Sequence, residues 1–546
     1  MYRSSSAEDA IAAELADVRP GLVARFTAEL PGARAAVLTR LWRALAHEPL
    51  PWIVRREPGG DGLTLRLSDG RRLHGPAPDP YATAAYVTSV ELDEVAYDRP
   101  QRLLTALAVP NGAAFAAELD DSVASLALSR AGQPDRPATR SPGGRTADET
   151  RADEWPTEEW PTDEWPTDEW PTDEWEWEQR VVDGHPYHPN CRSRPGFSAA
   201  EQLAYGPEHR PLVRLGLVPV EADECLVTGE WPQWLRDGRR TVLPVHPWQA
   251  AHVLKRAGDT GLDAHPLMSL RTLAVPGGPH VKTALTARLT SSVRDISVGS
   301  VSMSATLSEF GQELAARTDG LLHVTRTLGA ATAHSADLAA VLRESPGVYG
   351  APGEHVVPVA ALATTGLPRS PGWLADFTRL ALTVGLRLLE LGVALEAHGQ
   401  NLLVVLSPTG APLRLVYRDL ADIRVGPLRL AEHGVPVPAL AGRTVTDDVT
   451  TLRRKLFGSL VAGSLAATAG SAPALRGALE AAVPDLPRTA DLVALLEEPL
   501  PVKALTLMRL SPGVAGDQWA LLPNPLDAGP GRRGADPALW RDPSGQ

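Results

Sequence analysis

Residues 183–196 read DGHPYHPNCRSRPG, and the fold and function of the whole chain turn on what this stretch is for. His185, His188 and Cys191 stand three residues apart, as metal ligands do, yet Arg192 and Arg194 occupy the same dozen residues. Each histidine precedes a proline, which pushes its backbone into β or polyproline geometry and holds the two imidazoles in defined directions. On an extended chain Arg192 and Arg194 point the same way and offer a paired surface to phosphate or carboxylate. A metal site needs a fourth ligand, and Cys225 is the only other thiol. Anion binding is favoured on these grounds, with a metal site and purely structural histidines still open.

The rest of the chain narrows the choice. Its 546 residues, 43% hydrophobic, exceed one core and suggest two or three domains. Two cysteines are too few for a disulfide framework, and the first twenty residues hold no apolar stretch of the signal-peptide type, so a cytoplasmic protein is expected. The most apolar stretch, LALTVGLRLLELGVALEAHG, is interrupted by Arg387, Glu390 and Glu396, so no membrane association is expected. The net charge of −13 is local: residues 152–179 carry twelve acids and no base, which leaves the remainder close to neutral. No basic stripe with interleaved aromatics argues for nucleic acid. Of 53 basic residues only Lys255, Lys282, Lys455 and Lys503 are lysine, which marks them as candidates for a role that needs a compact ammonium.

Up to about Leu128, amphipathic helical patterns alternate with short strand-like pieces and read as a small α+β domain. A Pro, Gly, Arg and Thr-rich linker follows and runs into EWPTEEWPTDEWPTDEWPTDEWEWE, a five-residue repeat with Trp155, Trp160, Trp165, Trp170 and Trp175 in register. Proline after each of the first four tryptophans and repulsion among the acids predict an extended, mobile segment, read either as a tolerated loop or as a tail presenting tryptophans to a protein partner. Beyond Val181, RTLAVP, HVKTALTARLTSSVRDISVGSVSM and HVVPVAALATT read as strands and tight connections. TRLALTVGLRLLELGVALEAHGQ reads as one long helix, and LLVVLSP with PLRLVYRDLADIRV as a hairpin turning at Thr409-Gly410.

Three further polar constellations accompany the opening stretch. SLRTLAVPGGPHVKTALTARLTSSVRDI supplies Ser269, Arg271, Lys282, Arg288, Thr290, Ser291 and Arg294, with Asp295 the only acid, which favours a polyanionic ligand without being a Walker loop. Strand alternation puts Lys282, Ala284, Thr286, Arg288 and Thr290 on one face. LEAHGQN groups Glu396, His398, Gln400 and Asn401 at the expected helix end, and Asp419 follows in YRD. An Asn with an Asp is a common oxygen pair for Mg²⁺ held against nucleotide phosphates. VKALTLMRL adds Lys503 and Arg509.

HPYHPNCRSRPG resembles the HPxHPxxKxRxG signature of the NRPS-independent siderophore synthetases, the aerobactin-type IucA/IucC family with its FhuF-like C-terminal region. LPVHPWQ at residues 243–249, SLRT, VKTALTARLTSSVR, EAHGQN, YRD and KALTLMRL are similar to family motifs in the family's order. Arg192 stands where the signature usually has lysine, and the WPTDE repeat has no counterpart.

The resemblance implies an α+β, multi-domain cupped hand with a mainly antiparallel sheet in the fingers and a helical palm. Residues 1–129 would be the thumb, 130–180 a disordered linker, 181–370 the fingers, 371–524 the palm and 525–546 a flexible tail. It implies a ligase that uses ATP and Mg²⁺ to adenylate a carboxylate of citrate or a related di- or tricarboxylic acid. The acyl group would then pass to an amine, hydroxylamine or alcohol. A homodimer is a common family assembly. Ser269, Arg271, Lys282, Thr290, Arg294, His185, His188, Arg194 and Gln400 would hold the nucleotide, and Asn401, Asp419 and Glu396 the metal. His398, Thr290, Lys503 and Arg509 would contact substrate, with His398, Arg294, Lys282 and His188 closest to the chemistry. The alternatives are a non-catalytic metal-binding or interaction protein built on HxxHxxC, and a related ligase for another natural product.

Overall fold

The computed structural model describes residues 6–134, 170–256, 261–290, 292–440 and 442–527. The thumb-like part is built on two helices, Val23–His47 and Gly112–Ala131, packed on each other and on a five-stranded antiparallel meander, residues 53–97. Leu38, Leu41, Trp42 and Leu45 are fully buried along the first helix. Each such side chain contributes about 1.5–3 kcal/mol on removal from water. A capping box, Ser6 with Asp9, starts the preceding helix Ala7–Val18.

The central feature is a nine-stranded antiparallel sheet. Its order across the sheet is Leu226–Gly229, Thr327–Ser335, Leu338–Arg343, His280–Thr283, Thr272–Ala274, Gly261–Pro266, Val213–Glu221, Arg240–Val245 and Arg236–Asp237. The strand carrying Lys282 lies near its middle, with Lys282 opposite Thr272 on one side and Val341 on the other. A four-stranded sheet then pairs Leu322–Val324 and His355–Pro358 with the hairpin Leu402–Leu406/Pro412–Tyr417. The boundary expected at residue 370 therefore runs through a shared sheet, and one apolar core reaches from Phe310 to Leu522 across it.

Four local expectations are corrected. The polar alternation from Lys282 to Thr290 is broken at Ala284: His280–Thr283 belongs to the large sheet, whereas Leu285–Leu289 pairs with Ser292–Arg294 in a separate two-stranded sheet. Ala284 is buried and Thr290 turns through φ 58°, so these residues do not share a face. VGSVSM is not a strand but the start of the helix Val298–Ala315, capped by Ser297, whose side chain accepts from Ser300 N. The long helix ends at Glu390, not at LEAHGQN; a two-residue strand Val393–Ala394 intervenes, and EAHGQN forms a loop. The repeat is ordered at its end. Residues 170–179 pack into the protein and form the helix Glu174–Gln179, while Trp155, Trp160 and Trp165 lie outside the described residues.

Candidate active site

One cavity of about 1830 Å³ opens where the thumb-like helices, the large sheet and the C-terminal region meet. Every predicted site residue except Arg509 lines it.

The HPYHPNCRSRPG loop is held there by the thumb-like helices. Arg40 donates to the carbonyls of His185 (3.1 Å) and Pro186 (3.0 Å), and Ser122 Oγ donates to that of Pro189 (3.0 Å). Asn190 Nδ2 donates to Glu118 (2.6 Å), and Asp121 accepts from Ser193 Oγ and Arg194 N. Gly184, at φ 70°, lets the chain fold so tightly that a Cβ would lie 2.3 Å from the Cys191 carbonyl oxygen.

Within this loop the residues differ in whether their charges already have partners in the protein. Arg192 and Arg194 do point the same way, but their anion is internal: Arg194 pairs with Glu208 at 2.8 Å, and Arg192 lies 3.5 Å from the same carboxylate. Arg192 also donates to the carbonyls of Val181 and Val182. The guanidiniums therefore brace the loop, which corrects the expectation that Arg194 is free for nucleotide. Cys191 is buried in the thumb-like core. Among the described residues no group of three His, Cys, Asp or Glu side chains could hold a metal ion, so the HxxHxxC reading has no ligand set.

The histidines share one arrangement. Nδ1 of His185 accepts from the backbone N–H of Tyr187 and His188 (both 3.1 Å), Nδ1 of His188 from Asn190 (2.9 Å), and Nδ1 of His398 from Gln400 (3.3 Å). A nitrogen that accepts a hydrogen bond carries no proton, so each neutral ring has its N–H at Nε2. Burial lowers all three pKa values, His188 to about 3 with help from Arg509, Arg294 and Arg40 nearby. His185 lines the cavity and is exposed to solvent there, and His188, His398, Arg40 and Arg43 nearby also lower its pKa. These are hydrogen-bond donors at neutral pH and not bases. His188 Nε2 is buried without a partner among the described residues, as a donor awaiting a ligand would be.

This arrangement has a measurable consequence. The unfolded chain protonates its histidines near 6.5, whereas His188 and His246 hold out to about 3 and His209 to about 4. The stability they contribute is present above pH 6.5 and lost as pH falls from there, by about 1.4 kcal/mol per pH unit for each such group. Glu48, raised to about 7 by burial, opposes them over the same window, but by one proton. Denaturant titrations at pH 7 and pH 5 should show lower stability at pH 5, and His188→Asn should shrink the difference. Equal stability at the two values would refute the neutral assignment.

The cationic wall comes from the large sheet. Lys282 is buried, with Nζ 2.6 Å from Asp419 Oδ2. Burial drives its pKa down to about 7, partly offset by Asp419. Arg271 lies one strand away, its Nη1 donating to the carbonyls of Arg294 (2.5 Å) and Asp295 (2.7 Å), and burial lowers it to about 10. Arg294 reaches the cavity because Leu285–Leu289 folds back on Ser292–Arg294. Ser269 Oγ is engaged as an acceptor from Thr272 N (3.1 Å).

The opposite wall is the EAHGQN loop and the YRD turn. Ser459 and Ser464, on a wide π-helical stretch Phe457–Leu465, bond the backbone of Leu395 and Ala397 and so fix Glu396 and His398. Gly399 passes so close to Ala360 that a Cβ would lie 2.9 Å from its nitrogen. Burial would raise the Asp419 carboxyl, but Arg343 and Lys282 hold it well below the usual range. Arg343 Nη2 lies 2.8 Å from Oδ1 and Lys282 Nζ 2.6 Å from Oδ2, so one carboxylate faces two cations. The Asp419 carboxylate and the Asn401 amide on one cavity wall are the kind of oxygen pair that Mg²⁺ takes while filling the rest from phosphates and water, with Lys282 and Arg343 holding the carboxylate here.

Glu396 is held by cations in the same way. Lys455 (2.8 Å) and Lys503 (3.0 Å) flank it, and Lys455 also reaches Asp422 (2.7 Å). Burial would raise the Glu396 carboxyl; the two ammoniums win and lower it. Arg509 is corrected as well: it pairs with Glu118 behind His188 and does not line the cavity. Sequence reasoning missed Arg343, and marked Lys455 only as a scarce lysine without placing it at the site. The scarcity of lysine was a signal for the second, since three of the four lysines pair with acids of this cavity; nothing in VLRES marked the first.

Comparisons with known proteins agree with this architecture. Residues 173–364 match the IucA / IucC family, and residues 372–517 match the Ferric iron reductase FhuF-like transporter family. A citryl-spermidine/3,4-dihydroxybenzoyl-citryl-spermidine:spermidine ligase of Bacillus anthracis is 24% identical over 312 residues, 45% of this chain and 51% of that protein. The chain spans about half the length of the curated relatives it matches. The fold is that of the petrobactin biosynthesis protein AsbB from Bacillus anthracis, with a TM-score of 0.71, 17% identity and coverage of 93% of this chain and 97% of that one. It is also that of ATP-bound aerobactin synthetase IucA from Klebsiella pneumoniae, with a TM-score of 0.66, 19% identity and coverage of 90% and 99%. With the ordered motifs and the two consecutive family matches, residues 173–517 are similar to the NRPS-independent siderophore synthetases of the IucA/IucC type.

Proposed function

We propose that the protein is an ATP-dependent ligase that activates a carboxylate of citrate or a related di- or tricarboxylic acid as an acyl adenylate and condenses it with an amine, hydroxylamine or alcohol. The observation that carries this reading is one cavity with Arg271, Lys282 and Arg294 on one wall and Asp419 and Asn401 on the other. The neutral donors His185, His188 and His398 stand around them. Joining a carboxylate to the α-phosphate of ATP brings anions together, so the cost falls on charge neutralisation and alignment rather than on a covalent protein nucleophile.

Lys282, Arg271 and Arg294 would neutralise the polyphosphate, and His188 would donate its unpartnered Nε2–H to a phosphate or carboxylate oxygen. His398 would hold a carboxylate of the acid. Asn401 and Asp419 would hold Mg²⁺, which offsets charge on the phosphates when bound. The carboxylate oxygen bonds to the α-phosphorus as pyrophosphate leaves; the amine then attacks the acyl carbon and AMP leaves. Lys503, paired with Glu396 and Asp517, lines the side of the cavity where the acyl acceptor would enter.

The test is pyrophosphate release with ATP, Mg²⁺ and hydroxylamine over citrate, succinate and 2-oxoglutarate. Release that depends on one of these acids, with hydroxamate formed, is expected. Folded protein silent across the panel would count decisively against the reading.

A further inference from the structure

The acidic tryptophan repeat ends inside the protein, where Glu178 touches both walls of the cavity at once. Its side chain is 3% exposed, and its two oxygens serve different segments. Oε1 accepts from Arg418 Nη1 at 2.6 Å, and Oε2 accepts from Met268 N at 2.9 Å. Arg418 in turn donates Nε and Nη2 to the Gln400 carbonyl (3.0 and 2.8 Å), and its own N–H to that of Asn401. Arg418 immediately precedes Asp419, and Met268 immediately precedes Ser269. One carboxylate therefore ties the loop that starts the cationic wall to the turn that carries Asp419 and Asn401.

The helix bearing Glu178 is itself pinned to the same sheet. Glu174, one turn earlier, accepts from His280, two residues from Lys282 on its strand, and from Ser345 Oγ and Gly347 N. Burial would raise the Glu174 carboxyl, but His280 and these donors hold it down at about 2, so it stays charged. Trp177 is 2% exposed with its ring edge-on to Trp170 at 5.5 Å, and Trp175 stacks on His265 at 4.6 Å. Glu176, between them, faces solvent.

We infer that Glu178 is a positioning residue that sets the separation of the two walls by holding Arg418 and the Met268–Arg271 loop, so that the end of the WPTDE repeat is a working part of the site. This rests on the proposed ligase activity. Two walls that each carry part of one phosphate site must keep a fixed distance, because a misplacement of about 1 Å at reacting groups costs on the order of 100-fold in rate.

The test compares Glu178→Gln, Arg418→Gln, their double variant and Glu176→Gln, assayed below the unfolding midpoint of each with the secondary structure checked by circular dichroism. Glu178→Gln should lower kcat at least tenfold and raise KM for ATP, while KM for the amine stays within twofold. The double variant should lose no more than the worse single, since both changes cut the same link. Glu176→Gln should behave as wild type. Activity of Glu178→Gln within twofold of wild type, additive losses, or losses that follow the folded fraction would each overturn the inference. Mg²⁺-ATP-induced rise in unfolding midpoint gives a readout without turnover, expected to shrink in Glu178→Gln. Wild type that shows this rise but releases no pyrophosphate would sink the ligase reading and leave the positioning role to be judged on the rise alone; no rise in wild type would overturn both.

Discussion

Replacing Lys282 with alanine is expected to lower carboxylate-dependent turnover roughly 100- to 1,000-fold, the loss that accompanies removal of one preorganised charge-stabilising donor. Lys282 sits on a central strand of the large sheet, buried, and its ammonium is the cavity cation closest to Asp419. In a site from which water is largely displaced, an ammonium fixed by the sheet acts on developing phosphate charge without reorganisation. Stability should change far less. The folded protein already meets the cost of burying this charge, visible in a pKa driven down to about 7, and Asp419 keeps Arg343 as a partner when the lysine goes. A shift of no more than about 2 kcal/mol is expected in denaturant titration. Lys282→Arg should recover only part of the rate, because a planar fork cannot take the place of a compact ammonium. Kinetics of Lys282→Ala that match wild type would remove the residue from the site.

The converse variant, Asp419→Asn, should abolish turnover and also destabilise the fold, by about 3–5 kcal/mol, the range for leaving a buried charge unpaired. The asymmetry comes from the geometry: one carboxylate serves two cations, so deleting Lys282 leaves a pair whereas deleting the Asp419 charge leaves Lys282 and Arg343 facing each other uncompensated. Combining Asp419→Asn with Lys282→Met should restore part of the stability and none of the activity. Equal stability losses for Lys282→Ala and Asp419→Asn would show that Arg343 does not share the carboxylate.

Much of the site was legible because its chemistry forces unusual residues into short stretches. The run of cations from Arg271 to Arg294 with no acid among them, the His-Pro steps and EAHGQN followed by YRD all stand out against ordinary helix and strand patterning. Fourteen of the fifteen residues to which the resemblance gives a role in the site line the cavity. The hairpin at Thr409-Gly410 was equally plain, since Gly410 turns at φ 85° between two apolar strands.

What the sequence could not tell was which charges are spent inside the protein. Arg192 and Arg194 look like a surface for a ligand, yet Glu208, fourteen residues beyond Arg194, already occupies them; Glu396 looks uncompensated until Lys455 and Lys503 close on it. The same limit hid Arg343, the thumb-like helices behind the signature loop, and Glu178. A motif states which groups the chemistry requires, because their types and spacing along the chain are local. Whether a given charge meets the ligand or a counter-charge depends on partners as far away as the 240 residues between Glu178 and Arg418. Folding brings such partners together, and burial then makes pairing compulsory for whichever charges do not face the cavity.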